Sequence, residues 1–366
     1  MIPIAKPLIG KEEIKAVIDV LNSGTIVQGP RVKEFEAQFA EFIGTKNAVA
    51  VNSGTAALHC SLYAAGISKG DEVITSPFTF IATANAILMQ GATPVFVDIE
   101  DATFNIDASK IAEKITKKTK AILPVDIYGC PYEYEPVRRI AEENGLIVIE
   151  DACQAAGADY KGKKCGTLGD LSAFSFYATK NMATSEGGML TTDNSDFAEI
   201  IRMFRHHGQS EKKKYEYYGL GYNYRMTDIC AAIGIEQLKK LKEWNEKRAR
   251  NAEYLSKGLA GIKGIKLPII KNGCNHVFHQ YTIKVEEDFK LKRDELMELL
   301  HKKGIGTGVY YPKPMHLFEH LSQHRYKKGD FPTAERLSEQ ALSLPVHPSL
   351  TKEQLDKIIN AFEEFR

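Results

Sequence analysis

The sequence lacks any run approaching the ~20 uncharged apolar residues that a membrane-spanning helix needs, so no membrane partner is expected. It also lacks a charge surplus. Its 48 Lys+Arg face 47 Asp+Glu, for a formal net charge of +1. A general nucleic-acid binder needs a large positive excess, so that class is not expected either. The first dozen residues already carry charges and hold no apolar signal-peptide core. The six cysteines, at 60, 130, 153, 165, 230 and 274, include no C-x-x-C pair. A zinc ribbon or a thioredoxin-type motif is thereby disfavoured. Scattered thiols suit a reduced, cytoplasmic enzyme. Neither an internal repeat nor a low-complexity segment is present. With 43% hydrophobic and 26% charged residues, the composition is that of a folded globular chain. Its 366 residues suit two or three domains.

From residue 11 to about 206, helical patterns alternate with short apolar runs. In the first helix Ile14, Val17, Ile18 and Leu21 recur at helical spacing, and Gly24 ends the pattern. The apolar runs are 48–51, 73–74, 95–97, 121–125, 146–149 and 173–176, with a further strand at 187–192. Fully apolar strands between helices predict an α/β architecture with a mostly parallel sheet covered on both faces. The pattern changes after about residue 227. A long helix is expected from Asp228 to about Lys257, a strand over 280–285, and helices over 291–303, 331–342 and 351–365. Thr351-Lys-Glu-Gln354 is a capping-box sequence. The expected division is a large α/β domain, 1–248, and a smaller α+β domain, 249–366. The run from Glu211 to Tyr218 is expected to be a mobile surface loop.

Four segments could carry chemistry. Asn52-Ser53-Gly54-Thr55 follows a strand and opens a helix. Free amides there, with Ser and Thr hydroxyls, suit a phosphate, although plain helix capping would use the same residues. Asp151 ends the most apolar strand, beyond which ligands of open α/β sheets bind. Its carboxylate could pair with a cationic ring nitrogen, bind a metal, or cap the next segment. Lys180 follows a buried-type strand and precedes Gly187-Gly188. A lysine near an apolar core loses its charge readily, which favours imine chemistry, although most lysines are surface residues. Gly219-Leu-Gly-Tyr-Asn223-Tyr-Arg-Met226 could equally be a glycine-rich loop before a helix. Two matches fail. Gly157 to Lys164 has Lys where a Walker loop needs Ser or Thr, and no G-x-G-x-x-G stands between a strand and a helix. His206-His207 and His276-x-x-His279 lack a third ligand at metal spacing. Structural or substrate-facing histidines, and no metal, are expected there.

Together these segments ask for one ligand with a phosphate, a ring nitrogen and a carbonyl. Pyridoxal 5′-phosphate (PLP) has all three handles. The ordered motifs Ser-Gly-Thr-x-Ala-Leu, Glu-Asp-x-x-Gln, Phe-Ser-Phe-x-x-x-Lys, Glu-Gly-Gly and Gly-x-Asn-x-Arg-Met resemble the DegT/DnrJ/EryC1/StrS family of PLP-dependent sugar aminotransferases. The likeness extends from Pro7 and Gln28-Gly-Pro30 to Leu344-Pro-x-His347-Pro348. It implies the aspartate-aminotransferase fold (fold type I). It also implies roles. Lys180 would form the internal aldimine and shuttle protons. Asp151 would hold the pyridine nitrogen protonated, and Gln154 would contact the ring hydroxyl. Ser53, Gly54, Thr55 and Ser175 would hold the phosphate, and Phe78 would stack on the ring. Asn223 would reach the phosphate of a neighbouring subunit, implying a homodimer with shared sites. Tyr310, Tyr311 and His316 would approach the substrate sugar.

The reaction implied is ping-pong. L-Glutamate would leave its amine on the cofactor as pyridoxamine 5′-phosphate, which would aminate a keto group of a nucleotide-linked sugar. The N-terminal text from Met1 to Gly10 looks most like the perosamine-synthase-like group, which aminates C4. Alternatives are amination at C3 or of a keto-inositol, a non-catalytic regulator on the same fold, and a metal hydrolase using Asp126, Asp151 and histidines. The chain departs from the family pattern at Tyr177, often His, and at Ser185, often Gly.

Overall fold

In the computed structural model, the described residues are all but 211, 212, 214, 323–325 and 366. The surface-loop expectation for the run from Glu211 therefore falls partly, at Glu211, Lys212 and Lys214, outside the described residues.

Helices α1 (Lys11–Ser23) and α2 (Pro30–Ile43) lead into strand β1 (Asn47–Val51). There follow α3 (Gly54–Ala64), β2 (Glu72–Thr75), α4 (Ala82–Met89), β3 (Thr93–Phe96), β4 (Thr119–Leu123), α5 (Tyr134–Asn144) and β5 (Ile147–Asp151). Next come β6 (Asp159–Tyr160), β7 (Lys163–Lys164), β8 (Leu171–Ser175), β9 (Gly188–Thr192) and α6 (Ser195–Phe204). The seven-stranded sheet has the order β1-β9-β8-β5-β4-β2-β3. From β8 to β3 neighbouring strands are parallel, while β9 runs antiparallel to both β1 and β8. The link from β8 to β9, residues 176–187, contains no helix. Without a crossover helix the chain turns straight back, which forces the antiparallel pairing.

Apolar residues pack on both faces of the sheet. One face buries Phe35 and Phe39 of α2 against Phe174 and Phe176, and the other buries α3 and α6. The long helix α7 (Asp228–Leu259) connects this body to the C-terminal unit. Its residues Ala231, Ile235 and Leu241 join the first core, and Ala252, Leu255 and Leu259 join the core of that second unit. The C-terminal unit comprises β10 (Ile265–Lys266), β11 (Cys274–Asn275), β12 (Tyr281–Val285), α8 (Arg293–Lys302), α9 (Glu319–Ser322), α10 (Pro332–Gln340), β13 (Ala341–Leu344) and α11 (Lys352–Asn360). Strands β10-β12-β13 form its small sheet.

Two findings depart from the sequence pattern and two go beyond it. The helix expected over 331–342 stops at Gln340, because Ala341–Leu344 pairs with β12. The near-Walker stretch forms the hairpin β6-β7, with Lys161 and Gly162 at φ 50° and 81° in its turn, and β11 pairs with β6. Ile2 bridges to Ile305 and packs in the core of the C-terminal unit. Finally, α1 forms where expected, but its apolar stripe faces outward. Ile14, Ile18 and Leu21 are exposed, while Glu13 and Val20 are buried.

Candidate active site

Asp151 ends β5, Ser175 ends β8, and Ser53 caps α3, its Oγ accepting the Ala56 N–H at 3.1 Å. These three chain ends meet beyond the carboxyl edge of the parallel strands, where a doubly wound sheet leaves a crevice. The crevice is a cavity of about 670 Å³.

On one side stands the N-terminus of α3. Its first amides, Gly54 and Thr55, have no carbonyl within the helix to bond and are free for an anion. Gly54 is needed there for space. A Cβ on it would come within 2.7 Å of Ser175 Cβ and 3.1 Å of Cys153 Sγ. The hydroxyls of Ser53, Thr55 and Ser175 face the same space.

Asp151 is buried. Its Oδ2 accepts from Thr83 Oγ1 at 2.8 Å and its Oδ1 from the Cys153 amide at 3.2 Å. Thr83 Oγ1 also lies 3.2 Å from Thr79 Oγ1, which extends the hydroxyl pair behind the carboxylate. Gln154 Oε1 accepts the Tyr128 N–H at 2.9 Å, which turns its carboxamide nitrogen away from that contact.

Lys180 lies on the β8–β9 link, its amide bonded to the Tyr177 carbonyl at 2.8 Å. Burial pushes its ammonium below the usual lysine range, while Cys153 and Asp151 oppose that shift. A desolvated amine gives up its proton more readily than a solvent-exposed lysine does. The same link holds Ser185 at φ 77°, a conformation glycine adopts without strain.

Ser53, Gly54, Thr55, Asp151, Gln154, Ser175, Lys180, Tyr310 and Tyr311 thus line one cavity. Three expected residues do not. Phe78 is sealed in an apolar cluster, its ring against Phe104 and Tyr128, whereas Phe80, two residues on and 56% exposed, lines the cavity. The local chain path, with Ser76 Oγ accepting the Phe78 N–H at 3.0 Å, turns the first ring inward and leaves the second at the cavity. His316 is also sealed. Its Nε2 pairs with Glu335 at 3.0 Å and its ring packs on Phe331, so it holds the C-terminal unit together. Asn223 is exposed and lies outside this cavity, with its carbonyl accepting from Asn52 Nδ2 at 3.3 Å.

The sequence reading missed Thr83, Phe80 and Gln280 as lining residues. A buried-type helix carrying Thr83 in Ala-Thr-Ala-Asn-Ala-Ile was a signal available for the first. Behind Asp151, the buried Asp126 and Glu150 lie with Cys165 in the one cluster of metal-ligating type among the described residues. Glu150 Oε2 accepts from the Gly166 amide at 2.9 Å and Ser172 Oγ at 2.6 Å. Burial, then the Glu150 charge, pushes Asp126 far up, as expected for two carboxyls sharing one proton.

The chain is similar to known proteins in sequence and in fold. The DegT/DnrJ/EryC1/StrS aminotransferase family pattern matches residues 7–363. The spore coat polysaccharide biosynthesis protein SpsC of Bacillus subtilis is 42% identical, covering 99% of this chain and 96% of its own length. GDP-perosamine synthase of Caulobacter vibrioides is 39% identical over 99% of this chain and 98% of its own. A putative sugar aminotransferase of Streptococcus pneumoniae, solved in its PMP-form, superposes with a TM-score of 0.95 at 31% identity, over 100% of this chain and 97% of its own. The fold is therefore the aspartate-aminotransferase fold, fold type I. By pattern, by relatives and by architecture, the chain belongs to the DegT/DnrJ/EryC1/StrS aminotransferase family and is an enzyme of that class.

Proposed function

We propose that the protein is a PLP-dependent aminotransferase that moves the amine of L-glutamate to a keto group, at C4, of a nucleotide-linked sugar. The observation that carries this reading is the convergence of Lys180, Asp151 and the Gly54 opening of α3 on one cavity. The residues present fit PLP. Gly54 leaves a gap that a Cβ would close against Ser175 and Cys153, beside unpaired helix amides suited to a phosphate. Asp151 is a buried carboxylate held by two donors, suited to a protonated ring nitrogen.

In this reading Ser53, Gly54, Thr55 and Ser175 hold the phosphate, Asp151 keeps the proton on the ring nitrogen, and Gln154 contacts the ring hydroxyl. Bound PLP supplies an electron sink for the carbon whose amine is being transferred. Lys180 Nζ would take the proton from that carbon and deliver it to the cofactor in the first half-reaction, and would carry a proton the opposite way, onto the sugar carbon, in the second half of a ping-pong cycle. Phe80, which lines the cavity, takes the stacking role first expected of Phe78. Tyr310 and Tyr311 are placed to meet the sugar. The C4 preference draws on the relative named GDP-perosamine synthase.

The active unit is proposed to be a homodimer. The exposed apolar residues Ile14, Ile18 and Leu21 of α1, with Ile26 and Val27 after it, favour a second copy as cover. Asn223, exposed and outside this cavity, would then serve the partner's phosphate. A visible spectrum before and after L-glutamate tests the function. A yellow band that fades with glutamate is expected, and its absence after incubation with PLP would refute the reading.

A further inference from the structure

The cavity wall contributed by the C-terminal unit holds His279, for which the roles above leave no task. Its turn is held from many directions. The Val277 amide donates to Gly129 O at 3.0 Å, Asn181 Nδ2 donates to Val277 O at 3.0 Å, and the Phe278 amide donates to His276 Nδ1 at 2.9 Å. The Gln280 amide donates to Tyr128 O at 3.2 Å. Phe278 sits at φ 47°, a left-handed conformation that a bulky residue adopts only when its surroundings impose it. The outcome is a fixed imidazole, 7% exposed, at the edge of the cavity.

Two observations say what that imidazole is for. His279 Nδ1 is sealed and has no hydrogen-bond partner. An orphaned buried N–H is rarer than an orphaned acceptor, so the ring proton is assigned to Nε2, the nitrogen that is not sealed, on a residue that lines the cavity. Burial, then the charges of Lys180 and Arg248, keep the ring neutral. The second observation is Arg248 of α7. It is 5% exposed, its Nη1 donates to the Phe278 carbonyl at 3.2 Å, and its Nε is sealed without a partner. Among the described residues no carboxylate pairs with it. Burial lowers its pKa only to about 10, so it remains a cation at neutral pH. A buried cation without a counter-ion makes the wall in front of it favourable for an anion.

We propose that His279 is a further binding residue of this site, donating its Nε2–H to a carboxylate oxygen of the amino donor, with Arg248 behind it as a positioning residue that supplies the positive field. This rests on the aminotransferase reading above. It adds a donor-specific wall to it, separate from the phosphate side of the cavity.

The test titrates L-glutamate into purified holoenzyme while following the visible absorbance of bound PLP. It compares the wild type with His279→Ala and His279→Gln. Both variants are expected to melt near the wild type and to keep the PLP band. Half-saturating glutamate should rise about tenfold or more in His279→Ala, the loss expected for one charge-assisted hydrogen bond. His279→Gln, which keeps a donor, should recover part of it and gives the same reading if the alanine variant fails to fold. The rate at saturating glutamate should change less than the half-saturation. Arg248→Met should also weaken glutamate binding, and Arg248→Lys should restore it. Unchanged half-saturation in folded His279→Ala would overturn the proposal. So would loss of the PLP band in that variant alone, which would assign the imidazole to the cofactor. A wild type that shows no band would instead bring down the aminotransferase reading itself, and this proposal with it.

Discussion

The two walls of the cavity are built differently. One wall comes from the sheet body. Its residues sit at the ends of β1, β5 and β8, and each lies inside a short run that announces itself: Ser53-Gly-Thr, Glu150-Asp, and Phe174-Ser-Phe followed by Lys180. The other wall, His279, Gln280, Tyr310 and Tyr311, comes from the C-terminal unit, whose small sheet packs around its own core. The first wall is positioned by strand register, which every residue of the sheet helps to set. The second is positioned by a strained turn and long-range hydrogen bonds, which no local pattern encodes. On the proposed reading, cofactor and substrate are handled by separate structural parts.

The largest test of that contrast is Lys180→Ala. It should lower transamination by more than about 1,000-fold while leaving PLP retention through the phosphate side measurable by fluorescence after dialysis. Full activity would break the assignment of chemistry to the sheet wall. The pair Phe78→Ala and Phe80→Ala sharpens the boundary between core and cavity. Removing the sealed Phe78 ring should cost about 4 kcal/mol in denaturant unfolding. Removing Phe80 should shift stability within about 0.5 kcal/mol yet weaken ligand binding. The reverse pattern would restore Phe78 to the cavity.

Acid titration of stability tests how dry α3 is behind its first turn. Burial pushes His59 down to about 4 from its ordinary 6.5. Above pH 6.5 neither state binds the proton, so no stability is lost. As pH falls from 6.5 to about 4, the unfolded chain takes the proton and the folded one does not. About 3 kcal/mol should therefore drain away over that window. His59→Gln should flatten this limb in a pH series of melting curves, and an unchanged limb would show that His59 is accessible. A smaller effect than that of His59 is expected of Gly54→Ala. The inserted methyl would crowd Ser175 and Cys153 at a cost of roughly 2 kcal/mol. PLP affinity should fall by roughly tenfold, read from fluorescence titration.

Much of the fold was legible because its signals are local. Six short apolar runs between helical stretches suffice to describe a covered, mostly parallel sheet, whereas the antiparallel setting of β9 follows from the helix-free link seen in the structure. The strand β13 was not legible, because Ala341–Leu344 continues a helical pattern and becomes a strand only through pairing with β12. The outward stripe of α1 misled in the same way. Helical spacing identifies the helix, but it does not say whether an apolar face meets this chain or another.

At the candidate site, the residues suited to the proposed chemistry are readable from local sequence. A lysine after a buried strand, a carboxylate ending a strand and a Ser-Gly-Thr helix start are each set by neighbours within a few positions. The tertiary structure decided which side chains face the cavity. It turned Phe78 and His316 into core, brought Phe80 and Thr83 to the cavity, and placed His279 across from residues more than a hundred positions earlier. The reason is physical. Backbone hydrogen bonding and helix capping are short-range along the chain, whereas the direction of a side chain at the meeting of two units depends on packing between segments far apart in sequence.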